Sequence, residues 1–216
     1  MASTHLTKRN WTRWRRSNFD FFQKELAAFS PDCVLVDLGA GPEQFREVTW
    51  RFKKISVDFK QYGTTDIVSD LNTPIPLPSG SADIVFLSNV LEHLPNTASV
   101  LAECSRLLKN EGYLIGTIPF LAAIHQEPYD FHRYTSFMLE RLLKEASFQN
   151  IEITTLGMPH QLYRNMQDVF FRHAPKTFFM KLYQLIERSL YAFFRLFAVT
   201  SPTPIFCQGY GFKARK

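Results

Sequence analysis

Two stretches of this chain bring chemically capable side chains together at spacings that a plain connector does not need. The first runs through Val34, Leu35, Val36, Asp37, Leu38, Gly39, Ala40, Gly41 and Pro42, an apolar run that ends in an aspartate and turns through two glycines. Glycines at such a turn let the backbone approach a ligand closely. A dinucleotide fingerprint would need a further glycine or alanine where Gln44 stands. The charges also disfavour a phosphate, because Asp37 closes the strand and Glu43 opens the expected helix, and both repel an anion there. Asp58 ends the next apolar run 21 residues after Asp37, placed to accept both hydroxyls of a ribose. Asp70, with Leu71 and Asn72 after it, follows a third run and can cover an adenine with a carboxylate for its exocyclic amine. A nucleoside bearing an ammonium and a sulfonium in place of phosphates suits this set. S-adenosylmethionine is that ligand.

The second stretch, residues 124–134, holds His125, Glu127, Tyr129, Asp130, His132, Arg133 and Tyr134. Histidine titrates near neutral pH and is the usual positioned base. The candidate bases are His125, then His132, with His93 third. Glu127, Asp130, Arg133 and Tyr134 are candidates for holding an acceptor. Against this stands a loop that satisfies itself, with Arg133 and Asp130 paired only to keep its shape.

The elements that must position these residues follow from periodicity. Apolar runs at 33–37, 55–58, 65–68, 82–87, 113–118 and 151–156 read as buried parallel strands. A helix is predicted from Asn96 as N-cap, with Gly112 as its C-cap, and another from Thr135 or Ser136. Alternating strand and helix predict an α/β, Rossmann-like doubly wound sheet that binds ligands at the carboxyl ends of its strands. After residue 157 the strand signal stops, Pro175 can open a long helix, and residues 204–214 read as one more strand returning to the sheet. Three segments result: 1–31, a basic and aromatic helical start; 32–157 with 204–216, the ligand-binding domain; and 158–203, a helical insertion.

The glycine turn, Asp58, and the sequence Val90-Leu91-Glu92-His93-Leu94 after the fourth strand together resemble the class I S-adenosylmethionine-dependent methyltransferases. The resemblance implies a mostly parallel seven-stranded sheet with an antiparallel last strand. It implies that Asp37, Gly39, Ala40 and Gly41 hold the methionine part, and that Asp58 and Phe59 lie at the ribose. Asp70 and Leu71 then lie at the adenine, and Ser88 or Asn89 makes a further contact. The stretch 127–135 looks like a bacterial subgroup associated with surface polysaccharide and glycolipid pathways. Glu92-His93 with a later histidine is similar to the metal set of small-RNA 2′-O-methyltransferases, but Asn89 replaces a glutamate of that set. The expectation is therefore that Glu92 and His93 shape the pocket and that no metal site exists.

Charge distribution bears on partners. Residues 1–16 carry five cations and no acid, residues 161–203 carry a net +4, and the rest of the chain is acidic although the whole is +5. A polyanion would meet the flanks. In residues 176–199, Lys181, Arg188 and Arg195 share one helix face, opposite Phe178, Phe179, Leu182, Ile186, Leu190, Phe193, Phe194 and Phe197. Such a helix suits a membrane interface, a packed cap or a dimer seam. Three cysteines at unrelated spacings exclude a disulfide framework, and the N-terminal residues lack a secretory pattern. The expectation is a cytoplasmic enzyme, peripheral to a membrane if the 176–199 face binds lipid, that methylates a small-molecule, lipid-linked or glycan acceptor, on oxygen. The rival readings are an RNA methyltransferase using the basic flanks and an inert cofactor-binding protein at a membrane.

Overall fold

Parallel strands buried on both faces are written as near-continuous apolar runs, and each such run of this chain forms a strand. The computed structural model describes residues 11–194 and 206–216. Seven strands, β1 (Val34–Leu38), β2 (Lys53–Asp58), β3 (Ile67–Val68), β4 (Ala82–Ser88), β5 (Leu108–Pro119), β6 (Gln149–Leu156) and β7 (Gly209–Arg215), form one sheet ordered β3-β2-β1-β4-β5-β7-β6. The strands β1 to β5 pair in parallel, and β7 lies antiparallel between β5 and β6. The order reverses between β1 and β4, which opens a crevice at their carboxyl ends. This is the doubly wound, mostly parallel sheet that the sequence predicts, with its antiparallel last strand.

Two helices cover one face. In α3 (Thr97–Leu107) the Asn96 side chain accepts from the Ser99 amide at 3.2 Å, and in α4 (Ser136–Glu145) Thr135 does the same for Met138 at 3.2 Å. Gly112 is not the C-cap of α3. The chain passes straight from Leu107 into β5, and Gly112 lies inside that strand, where a Cβ would stand 2.9 Å from the Lys109 carbonyl oxygen.

The other face is covered by α1 (Arg13–Leu26), the helix of the basic and aromatic start, whose aromatic side is buried in the core. Phe22 is 0% exposed and its ring centroid lies 4.3 Å from that of Phe86 in β4. The Phe21 ring rests on Gly211, where a Cβ would come within 2.7 Å of it. The cations of this helix are engaged within the chain. Arg15 donates to the Gln44 carbonyl at 2.9 Å and sits over the Trp11 ring, and Arg13 meets Asn165 at 3.4 Å and Asp168 at 3.7 Å. Lys8 and Arg9 lie outside the described residues.

Two further expectations change. The helix after the glycine turn is only α2 (Arg46–Thr49), because Gly41 and Glu43 both take positive φ and Pro42 stands between them. Glu43 therefore belongs to the turn. Residues 158–203 hold two helices where one was expected, α5 (Pro159–His173) and α6 (Phe178–Phe194). Pro159 opens α5, Pro175 lies in the connection, and Thr177 accepts from the Met180 amide at 3.2 Å to start α6. The last residues of the expected insertion to 203, the strand start at 204, Arg195 and Phe197 lie outside the described residues.

Candidate active site

The turn after β1 is built around backbone amides. Gly39 takes φ +73°, and a Cβ there would come within 2.6 Å of Val90, so only glycine fits. The amides of Gly39 and Ala40 donate to the Val57 carbonyl at 2.8 and 3.2 Å, which ties the turn to β2. Gly41 also takes positive φ, and the space over its Cα is open. Its amide donates to Asp58 Oδ2 at 2.8 Å, while Lys60 N donates to Oδ1 at 3.0 Å. A carboxylate has about four lone-pair positions, so two remain for ribose hydroxyls.

Three acids crowd this turn. Asp37 is buried, and burial pushes its carboxyl up to about 7, opposed by Lys54 and reinforced by Glu43 and Asp58. Lys54 pairs with Glu43, and Arg46 approaches the same carboxylate at 3.8 Å. Lys54 is a residue that sequence reading missed, since a lysine early in a strand carries no local signal. Trp14 is another: its indole donates to Asn89 Oδ1 at 3.1 Å, which lays α1 over the end of β4. Asn89 takes φ +53° and donates from its own amide to Thr117 O at 3.0 Å. Ser88 ends β4, half-buried beside it. Phe59 is exposed and Leu71 buried, while Asp70 Oδ1 accepts from Asn72 N at 2.9 Å and Nδ2 at 2.8 Å. The predicted cofactor residues thus lie along the carboxyl edge of β1, β2, β3 and β4.

The loop after β5 folds back on a short 3-10 turn, Leu91–His93. The amides of Phe131 and His132 donate to the Glu92 carbonyl at 2.8 and 3.2 Å. This brings Glu92, His93 and His125 together. His93 Nε2 lies 3.7 Å and His125 Nε2 4.0 Å from Glu92 Oε1. Glu92 is wholly buried, and burial pushes its carboxyl up to about 8. Burial also lowers the pKa of His93, whose Nδ1 meets the Tyr129 carbonyl at 2.5 Å. His125 Nδ1 faces Asp130 Oδ2 at 3.4 Å.

The other loop candidates do not join the cluster. His132 Nε2 turns to the Pro95 carbonyl at 3.4 Å, and its ring lies 5.2 Å from that of Tyr134. Tyr134 is buried, its hydroxyl bonded to Thr97. Glu127 is exposed. Arg133 grips Asp130 with two bonds, 2.5 and 2.8 Å, and reaches the carbonyls of His132, Ala123 and Ala122. The guanidinium holds Asp130 well below the usual carboxylate range. In this geometry Arg133 and Asp130 brace the loop.

A seven-stranded sheet of this order, with a glycine turn after β1 and acids ending β1 and β2, defines the class I methyltransferase fold. Comparison with known proteins agrees. A methyltransferase domain family matches residues 22–116. A ubiquinone biosynthesis O-methyltransferase of Marinobacter nauticus is 27% identical over 96 residues, 44% of this chain and 36% of that protein. A probable S-adenosylmethionine-dependent methyltransferase of Mycobacterium tuberculosis is 25% identical over 120 residues, 53% of this chain and 42% of that one. The match thus spans well under half the length of these curated relatives. Among solved structures, a SAM-dependent methyltransferase from Archaeoglobus fulgidus shares the fold at TM-score 0.62 and 18% identity, covering 95% of both chains. Phosphoethanolamine N-methyltransferase 2 of Haemonchus contortus, solved with S-adenosyl-L-methionine, aligns at TM-score 0.57 and 15% identity over 94% of this chain and 52% of that one. Over residues 22–116 the chain matches a methyltransferase domain family, and its fold is that of the S-adenosylmethionine-dependent methyltransferases.

The turn fits that family's cofactor. Open space over Gly41 leaves room for the methionine part, and the buried Asp37 carboxyl favours a cation beside it. A pH dependence follows. Below about pH 7 Asp37 is protonated and neutral in the free protein, while an ammonium or sulfonium favours its ionised form. Affinity for S-adenosylmethionine is expected to rise with pH through 7 and then level off, with a slope approaching about tenfold per unit on the acid side. Titration calorimetry at several pH values checks this. Affinity flat across that range, or an Asp37→Asn variant with the same slope, would contradict it.

Proposed function

We propose that this chain transfers the methyl group of S-adenosylmethionine to an oxygen of a small-molecule, lipid-linked or glycan acceptor. The observation that carries the reading is the convergence of Glu92, His93 and His125 on the same sheet edge as the glycine turn and Asp58. When bound, the cofactor supplies an electrophilic methyl group. The chain supplies alignment, worth about 7–11 kcal/mol of barrier in well-oriented reactions, and a proton acceptor, worth about 10²–10⁴-fold. His125 turns Nδ1 toward Asp130, which leaves Nε2 to take a hydroxyl proton. Two curated relatives named as ubiquinone biosynthesis O-methyltransferases support oxygen as the atom methylated. An RNA acceptor gains little support, since Arg13 and Arg15 of the basic start are engaged within the chain. Methyl-labelled cofactor incubated with small-molecule, lipid and RNA pools tests the reading. Label in methyl ethers of the first two supports it, label confined to RNA overturns it, and binding without transfer to any pool favours the inert cofactor-binding rival.

The α5–α6 pair supports a lipid-linked acceptor. Glu187 accepts from Tyr163 at 3.1 Å and Gln167 at 2.7 Å, and Tyr163 meets Tyr191 and Phe171 meets Tyr183 by their rings, which joins the two helices. Much of the apolar surface of α6 faces outward, with Phe178 74% exposed and Phe179, Leu182, Leu185, Ile186 and Phe193 also exposed. Among the described residues no helix is long and apolar enough to cross a membrane. A face of this kind, on a helix that also carries Lys181 and Arg188, suits the surface of an anionic bilayer. Co-sedimentation with anionic vesicles is expected, weakened by salt and by Phe178→Ser with Phe179→Ser. Sedimentation indifferent to both would mean that the face packs on protein.

A further inference from the structure

Glu92 is 0% exposed, yet among the described residues no group of any other residue hydrogen-bonds either of its carboxylate oxygens. The buried His93 Nε2 is likewise without a hydrogen bond. Native structures rarely leave a carboxylate and an imidazole nitrogen buried, adjacent and unsatisfied. Both groups point at the same small volume as His125 Nε2, and one ligand atom from each of the three residues lies within 4.8 Å of the others.

We propose that Glu92, His93 and His125 bind one divalent transition-metal ion of the zinc type. The donors are two imidazoles and a carboxylate, a set suited to Zn²⁺, Fe²⁺ or Co²⁺ and poor for Ca²⁺, which takes oxygen ligands. Metal–ligand bonds of about 2.0–2.1 Å put neighbouring tetrahedral donors about 3.3 Å apart. The observed 3.7 and 4.0 Å from Glu92 Oε1 need only small side-chain movements to reach that spacing.

The surroundings of the ligands argue the same way. A metal-binding histidine normally donates its other ring N–H to a carbonyl or carboxylate, which fixes the free nitrogen toward the ion. His93 Nδ1 meets the Tyr129 carbonyl at 2.5 Å, and His125 Nδ1 meets the Ala123 carbonyl at 3.3 Å with Asp130 Oδ2 beside it at 3.4 Å. Arg133 in turn fixes Asp130 with its two bonds, 2.5 and 2.8 Å. Both imidazoles are therefore oriented with Nε2 inward, and the loop after β5 is braced for that purpose. Three protein ligands leave at least one position open. The His125 side chain is 38% exposed, so the cluster is open to solvent on that side.

With an ion bound, His125 Nε2 is a ligand, and the ion in place of the imidazole would activate an acceptor hydroxyl. Binding itself does not depend on methyl transfer, so the test reads metal binding alone. The full chain, stripped with chelator, is titrated with Co²⁺ while visible absorption is followed. The expected result is saturation at one equivalent, with the ligand-field bands of a four- or five-coordinate ion, and displacement by Zn²⁺. Glu92→Gln and His125→Ala should each weaken Co²⁺ binding at least tenfold, while His132→Ala leaves it unchanged. S-adenosylmethionine affinity, measured separately, should survive His125→Ala, which separates failure of this site from failure of the cofactor assignment. His125 is part-exposed, so its replacement leaves the core packing alone even if Glu92→Gln proves unstable. Absence of saturable Co²⁺ binding, or binding unaffected by His125→Ala, overturns the proposal.

Discussion

Replacing Asp58 with alanine is expected to weaken S-adenosylmethionine binding at least tenfold, and about a hundredfold if both ribose bonds are lost. A hydrogen bond to a charged acceptor contributes about 1.5–3 kcal/mol, and 1.4 kcal/mol is tenfold in Kd. Asp58 also receives the Gly41 amide at 2.8 Å, so its removal loosens the turn that the methionine part needs. Asp58→Asn keeps a carbonyl for one of these donors and should fall between wild type and Asp58→Ala. Calorimetric titration of the three proteins gives the order directly. Equal affinity in Asp58→Ala would remove the cofactor site as assigned, and a preference for a dinucleotide would remove the family reading of the turn with it.

That site was legible in the sequence because its parts are local. A strand, a glycine turn and an acid at the next strand end need no long-range contact to be recognised, and the strands themselves fell within a few residues of their predicted places. What the sequence hid lies in features that two elements share. Phe19, Phe22 and Leu26 stand on one face of α1 at helical spacing, but the dense cations ahead of them drew attention to charge. Phe21 beside them packs on Gly211 in β7, nearly two hundred residues away, where a side chain would meet its ring. Likewise Pro159 and Pro175 both satisfy the rule for a first helical position. Only the cap from Thr177 decides that the second helix starts at Phe178.

The cluster of Glu92, His93 and His125 shows the same division. Each residue is visible in the sequence, and Glu92-His93 reads there as pocket-shaping because Asn89 is not a second glutamate. The third ligand comes instead from the loop after β5, carried back by the Phe131 and His132 amides on the Glu92 carbonyl. Asn89 has a different partner, the indole of Trp14. No local pattern predicts either pairing, because both are made by chain returning across the sheet edge.

The second large effect is on turnover. His125→Ala is expected to lower kcat about 10²-fold or more with S-adenosylmethionine affinity nearly intact, whether Nε2 takes the acceptor proton or holds the ion that polarises the hydroxyl. Arg133 was expected to bind the acceptor, so that Arg133→Ala would act on KM. Its geometry shifts that expectation, because the guanidinium is committed to Asp130 and three loop carbonyls. Arg133→Ala should therefore lower kcat through a misoriented His125 and leave acceptor KM the less affected of the two. Arg133→Lys should rescue it poorly, since a lysine cannot make the two parallel bonds to the Asp130 carboxylate. Steady-state kinetics of the three variants across pH 6–9 separate the cases. Loss confined to KM in Arg133→Ala would return that residue to the acceptor, and near-normal kcat in His125→Ala would leave the hydroxyl proton to another group of this edge.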